Sequence, residues 1–260
     1  MRYFARIKYN GTNFQGWQRQ KNTSETVQGK IEAALAVFLP SKPEIVGCGR
    51  TDSGVHASDY IFHFDVEEYD PGQIKYKLNS ILPNSIVVEN IIPVHKEAHA
   101  RYDAFLRAYD YYLVERRDPF REFTAYHLPT LDRLNFQDLQ AAAHLLKDYE
   151  DFEAFCKNGS DEKSKKCIIY KSEWRKTDNG YVYHIEANRF LRGMIRLIVG
   201  MCINVARGQV TIEQVKSALE NKTRLVKDWS VPARGLFLSK VEYEYIKDNT
   251  YIPISNNVNS

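Results

Sequence analysis

The sequence predicts an α+β fold made of two ferredoxin-like halves, each running β-α-β-β-α-β, with their sheets joined around a central cleft. Three observations carry this. Alternating apolar residues mark strands at matching places in each half, stretches of helical apolar spacing separate them, and a length of 260 residues suits one large domain or two ordinary ones.

In the first half, residues 2–9 (Arg-Tyr-Phe-Ala-Arg-Ile-Lys-Tyr) read as a strand that turns at Asn10 and Gly11. Val27, Ile31, Leu35 and Phe38 fall at helical spacing, and Pro40 and Pro43 close that helix. Strands follow at 45–48 and 60–66, then Pro71-Gly72, a helix at 73–82, and a strand from Ser85. The second half repeats the order, with a strand at 104–115, a helix at 135–146, strands at 167–176 and 181–187, and a helix from Phe190. A short helix and a strand finish it, and Thr211 with Gln214 makes a capping box for that helix. The domains expected are thus 1–100, carrying an aspartate loop, and 101–247, carrying a tyrosine-rich strand and an arginine helix, with 248–260 a loose tail. The lysine-rich stretch at 157–166 is a charged loop that need not be ordered.

Composition excludes several classes. Hydrophobic residues make up 43%, ample for a core, and no apolar run approaches the ~20 residues that span a bilayer. The first residues lack a signal-peptide core, so a soluble cytoplasmic protein without membrane contact is the default. The four cysteines are scattered, which argues for buried free thiols against a zinc site or a disulfide framework. No His-x-x-x-His pair, phosphate-binding glycine loop or dinucleotide fingerprint occurs, so no metal site is expected. A net charge of +3 is mild, and residues 1–100 hold equal numbers of basic and acidic side chains. Local clusters at Arg101, Arg107, Arg116, Arg117 and Arg121, at Lys157, Lys163, Lys165 and Lys166, and at Arg189, Arg192 and Arg196 permit a nucleic-acid partner.

The most informative run is 49–57, Gly-Arg-Thr-Asp-Ser-Gly-Val-His-Ala, a loop between two strands with Asp52 held between glycines. Asp and Ser favour turns through their own backbone, so local pattern alone reads as turn chemistry. Arg50 and His56 are more than a turn requires, and Arg50 stands two residues before Asp52. On the helix from Phe190, Arg189, Arg192 and Arg196 form a stripe opposite a broad apolar face. Ile195 and Val199 flank Arg196, and a half-buried guanidinium needs an anionic partner; a solvated arginine face is the alternative. Tyr109 and Tyr111 alternate on one face of the strand at 104–115, where core packing also explains tyrosines.

The run at 49–57 resembles the catalytic-aspartate motif of the TruA-type tRNA pseudouridine synthases, Gly-Arg-Thr-Asp-Ala-Gly-Val-His, departing only at Ser53. Four further segments match in order: 9–20, containing Gly-Trp-Gln-Arg-Gln; the Arg-x-Tyr-x-Tyr pattern from Arg107; 190–200, like Phe-x-x-x-Met-Val-Arg-x-x-Val-Gly; and 231–238, like Ala-Pro-x-x-Gly-Leu-x-Leu. The resemblance implies an isomerase that turns uridine into pseudouridine in the tRNA anticodon stem-loop, at positions 38, 39 and 40, as a homodimer and without a cofactor. It implies Asp52 as the catalytic carboxylate, Arg196 as its ion-pair partner, Tyr109 against the target base, Leu236 as a wall of the site and Arg19 near RNA. The segment at 151–156, Asp-Phe-Glu-Ala-Phe-Cys, departs from the family's Asp-Phe-Ser-Ser-Phe-Arg, leaving open a paralogue with a different target uridine. A non-catalytic RNA-binding protein is the alternative from another class, disfavoured because no RNP1-like run is present. A metal-dependent nucleotidyl transferase would want two adjacent carboxylates, and Asp52 with Asp59 makes a poor case.

Overall fold

A computed structural model describes residues 1–156, 164–225 and 229–253 of the protein. The fold is α+β, and the chain divides into two compact units, Met1–Leu106 with Leu238–Ser260, and Arg107–Phe237. The first unit contains β1 (Arg2–Tyr9), α1 (Val27–Phe38), β2 (Val46–Gly47), β3 (His56–Asp65), α2 (Pro71–Ile81) and β4 (Ile86–Val94). Its sheet has β1 between β4 and β3, antiparallel to both, with β2 antiparallel to β3. This is the 4-1-3-2 strand order of a ferredoxin-like unit.

Local chemistry explains each helix. Thr26 caps α1 by accepting from the Gly29 backbone N–H, and Val27, Ile31, Ala34 and Leu35 form its buried stripe. Asp70 caps α2 with Pro71 at the first turn, so this helix starts two residues before the expected 73. Proline suits that position because its missing N–H has no helical partner there. Fully buried Phe4, Ile7, Ile31, Phe62, Ile74 and Leu78 knit the helices to the sheet. Register shifts in β1, between Arg6 and Ile7 toward β4 and between Ile7 and Tyr9 toward β3, bend the strand just before its loop.

The second unit contains β5 (Leu106–Val114, whose first residue belongs to the first unit), β6 (Tyr126–His127), α3 (Phe136–Leu145), β7 (Ile169–Thr177), β8 (Gly180–Ala187), α4 (Met194–Ala206) and α5 (Ile212–Glu220). Strand β8 lies between β5 and β7, antiparallel to both, and β6 runs parallel to β5. Ser172 on β7 donates to or accepts from Tyr183 on β8 at 2.8 Å and bonds the Ala143 carbonyl of α3 at 2.7 Å, fixing that helix on the Tyr111 and Tyr183 face. The capping box of α5 forms as expected, with Thr211 and Gln214 each satisfying the other's backbone N–H.

Helix α4 begins at Met194, four residues later than its apolar spacing suggests, because Gly193 sits in the left-handed region at φ 72°. Arg189 and Arg192 therefore precede the helix, and the expected three-arginine stripe does not exist. Strand β9 (Leu236–Glu242) starts in the second unit and ends in the first. Beyond it, β10 (Ile246–Lys247) pairs with β11 (Thr250–Tyr251) where a loose tail was expected. Tyr251 anchors this hairpin by bonding His95 at 3.1 Å and packing on Tyr245, an attachment no periodic pattern announces. The rest of that expected tail, 254–260, and positions 157–163 of the lysine-rich loop lie outside the described residues. All four cysteines are buried, as expected, and no helix among the described residues is long and apolar enough to cross a membrane.

On the sheet face opposite Tyr111, His184 is held between two carboxylates, with Asp110 at 2.6 Å from Nδ1 and Glu186 at 2.9 Å from Nε2. The Asp110 hydrogen bond, then the one to Glu186, raises the His184 pKa against the opposing effect of burial. A raised histidine pKa stabilises the fold fully below the unfolded value of ~6.5, and that contribution is lost as pH rises through the folded pKa. The urea midpoint of the wild type should exceed that of His184→Gln most at pH below ~6, with the gap shrinking above neutrality. Parallel midpoints across pH would show that His184 stays neutral.

Candidate active site

The aspartate loop is built by backbone packing. Asp52 opens a turn closed by the Val55 N–H on the Asp52 carbonyl at 3.2 Å, with Gly54 at φ 77°, the positive value a type II turn needs at its third residue. Ser53, the one departure from the family motif, fits the second turn position, and its Oγ donates to the Phe14 carbonyl at 3.2 Å. The segment after β1 lies directly on this turn. A Cβ on Gly11 would come within 1.9 Å of the Val55 carbonyl oxygen, and one on Gly16 within 2.7 Å of the Thr51 carbonyl oxygen. Gly16 also adopts φ 91°, so both glycines are required.

Polar bonds lock the contact. Trp17 N–H donates to Thr51 O at 3.1 Å, Thr51 Oγ1 shares a buried hydrogen bond of 2.8 Å with the Tyr9 hydroxyl, and Gly11 N–H donates to His56 Nδ1 at 3.0 Å. His56 is thereby the first residue of β3, fully buried, and not part of the loop where the sequence put it. Its Nδ1 is an acceptor, so the imidazole positions the Gly11 turn. Beneath the loop, Trp17 stacks on Tyr60 at 4.0 Å, and the Tyr60 hydroxyl donates to Gly49 O at 2.5 Å. Asp52 itself is half-buried at the tip. Sequence reading missed Thr51, Gly11, Gly16 and Tyr60; the two glycines flanking an aromatic in 9–17 were the available signal.

In the second unit, Tyr109, Tyr111, Arg196 and Leu236 belong to elements that meet the segment 229–236. Arg196 Nε donates to the Val231 carbonyl at 2.7 Å, and the Val231 N–H returns to the Arg196 carbonyl at 3.3 Å. Gly200, one turn further along α4, admits that segment: a Cβ there would lie 1.8 Å from Trp229 O. The Tyr111 hydroxyl donates to Pro232 O at 2.7 Å, and burial drives its pKa well above the ordinary value, so it remains a neutral donor. Arg196 stands in the first turn of α4, where the helix dipole disfavours a cation. Tyr109 packs edge-on against Phe190 at 5.2 Å and is 9% exposed, and Leu236 is buried where β9 begins.

The remaining candidates lie in the first unit. Arg50 is exposed. Arg19 is exposed and ion-paired with Glu32 at 3.0 Å and Glu44 at 3.3 Å. Asp59 accepts from Val241 N–H at 2.9 Å and faces Arg6 at 3.1 Å, so it ties strands together. Burial outweighs these partners and raises its pKa. Among the described residues no cluster of three or more His, Cys, Asp or Glu side chains could hold a metal ion. The packing at Gly200 predicts that Gly200→Ala destabilises the protein by about 2 kcal/mol or more in chemical denaturation, an overpacking cost. A loss within ~0.5 kcal/mol would mean that the 229–232 segment yields freely.

Comparison with known proteins extends this picture over most of the chain. The family described as tRNA pseudouridine synthase matches residues 5–103 and 142–244. A tRNA pseudouridine synthase A of Parabacteroides distasonis is 45% identical over 244 residues, covering 93% of this chain and 96% of its own. Its namesake in Bacteroides thetaiotaomicron is 41% identical over 246 residues, covering 93% and 90%. The one in Staphylococcus aureus is 36% identical over 254 residues, covering 95% and 94%. Similarity on this scale, running through both units and the Asp52 loop, means that the chain belongs to the tRNA pseudouridine synthase family, isomerases that convert uridine to pseudouridine in tRNA.

Proposed function

We propose that this synthase acts on uridines 38, 39 and 40 of the tRNA anticodon stem-loop, as a homodimer in the cytoplasm, with Asp52 as the acting carboxylate. The rigid mounting of the Asp52 turn is the observation that supports this reading, since backbone contacts with the segment after β1 hold the turn in one place. The product is an isomer of the substrate. The N1–C1′ bond breaks, a C5–C1′ bond forms, the C5 proton leaves and N1 gains one, so the balance calls for no cofactor.

Asp52 must be ionised to act, and a closing RNA surface would remove water and favour its neutral form. Arg196 supplies the remedy in this reading. Its planar guanidinium holds a carboxylate through paired hydrogen bonds, and the dipole of α4 adds to the positive field at its first turn. One edge of that guanidinium is fixed by Val231 O, which sets its orientation. Tyr109 is proposed to lie against the extruded uracil, with Leu236 as an apolar wall, while Arg50 fills the gap or meets a flanking phosphate. Arg19, already paired with Glu32 and Glu44, is proposed to contact RNA from the segment between β1 and α1.

Loss of the C5 proton provides the assay, because tRNA tritiated at uridine C5 releases label to water on each turnover. Asp52→Asn should lower release on the order of 10³-fold or more while tRNA still binds. Turnover retained by that variant would overturn the assignment of the carboxylate. For Arg196→Lys we expect a loss on the order of 10²-fold with an unchanged melting temperature. Near-normal turnover there would leave Arg196 as a clamp for Val231 alone.

A further inference from the structure

We infer that a cavity beside the aspartate loop, walled by Arg50 and Arg101, holds a phosphodiester of the RNA strand next to the target uridine. The inference rests on the function proposed above. The cavity, of about 210 Å³, lies wholly within the first unit, and Trp17, Gln18, Gly47 and Gly49 are among the residues that line it. Binding sites for whole small molecules run from roughly 300 Å³ upward, so this space suits a phosphate-sized group better than a nucleoside.

Its walls are fixed and its charge is one-sided. Gln28 closes one wall: its Oε1 accepts from Gln18 Nε2 at 2.7 Å and Arg19 N–H at 2.9 Å, and its Nε2 donates to Glu32 at 2.9 Å and Ile45 O at 3.2 Å. Arg50 and Arg101 are the charged side chains of the lining, both exposed and both cationic. Arg101 is braced from behind: its backbone N–H donates to His99 Nδ1 at 3.1 Å, and its guanidinium lies 5.8 Å from the ring centre of Tyr102, which stacks on His99. Two guanidinium groups presented from separate segments match the several oxygens of a phosphodiester.

Gly49 supplies an independent sign. Gly11, Gly16 and Gly47 are all forced by near neighbours, whereas a Cβ on Gly49 would meet no described atom within 4 Å, and its φ lies outside the left-handed region. The fold gives no reason for a glycine there. Gly49 lines the cavity, and a ligand lying against it there would leave no room for a side chain. Arg50 stands two residues from Asp52, a span of at most roughly 7 Å of chain, so the cavity borders the aspartate loop.

The test uses anticodon stem-loop RNAs in which one linkage at a time near the target is made a neutral methylphosphonate. Wild-type protein on unmodified RNA comes first; no pseudouridine there overturns the functional reading, and the cavity with it. Given activity, one linkage should lower kcat/KM roughly ten- to hundredfold when neutralised, the scale of a charged hydrogen bond. Arg101→Gln should lose about as much on unmodified RNA and be indifferent to neutralising that same linkage, as expected for partners in one interaction. Gly49→Val, which adds bulk to the cavity lining without removing a charge, should show the same indifference and serves as the second arm if Arg101→Gln melts early. Losses that multiply at every linkage, insensitivity of the wild type to all linkages, or a wild-type response from Gly49→Val would each overturn the assignment.

Discussion

The position of Asp52 depends on two stretches of backbone lying closer together than any side chain between them would permit. Gly11 and Gly16 bring the chain after β1 onto the carbonyls of Val55 and Thr51, and no larger residue fits at either place. Trp17, Thr51, Tyr9 and His56 then fasten the two loops with hydrogen bonds that have little freedom left. Catalytic carboxylates gain from such mounting, because a group already in place need not be ordered as the reaction proceeds. The bends in β1 serve the same end by aiming its loop at the start of β3.

The second unit repeats the device with different residues. Gly200 lets Trp229 cross α4, and Gly235 fits against the ring of Tyr111, whose hydroxyl holds Pro232. Arg196 is clasped by Val231 through both side chain and backbone. A cation in the first turn of a helix costs stability, so the fold bears a local penalty to keep this guanidinium where it is. Penalties of that kind concentrate where function needs them. In each unit, then, a charged residue sits on a fixed stretch of backbone, Asp52 in one and Arg196 in the other.

Much of this was legible in the sequence where the signal is local. The capping box at Thr211, the helical spacing of Val27, Ile31 and Leu35, and the alternation around Tyr109 and Tyr111 all depend on neighbours within one or two turns. The misread positions have a common cause. Apolar spacing continued through Phe190, and only the left-handed Gly193 shows that α4 starts later. Pro71 looked like a break and is a helix start, because Asp70 caps it. β2 lies within the strand expected at 45–48, but only pairing with Phe62 and His63 limits it to two residues. Gly11 against Val55 joins residues far apart in sequence, and no window of local pattern can report such an approach. The aspartate motif was conspicuous; what holds it still was not.

The account turns on that approach, and single-turnover kinetics on Gly11→Ala tests it most directly. The added methyl would sit 1.9 Å from Val55 O, so the Asp52 turn must move while the tRNA-facing side chains stay unchanged. We predict a fall in the rate of pseudouridine formation of at least about tenfold, the sensitivity expected of a displaced reacting group, with tRNA affinity within about twofold of wild type. A Gly11→Ala protein that turns over at the wild-type rate would contradict the claim that this backbone contact sets the position of the carboxylate.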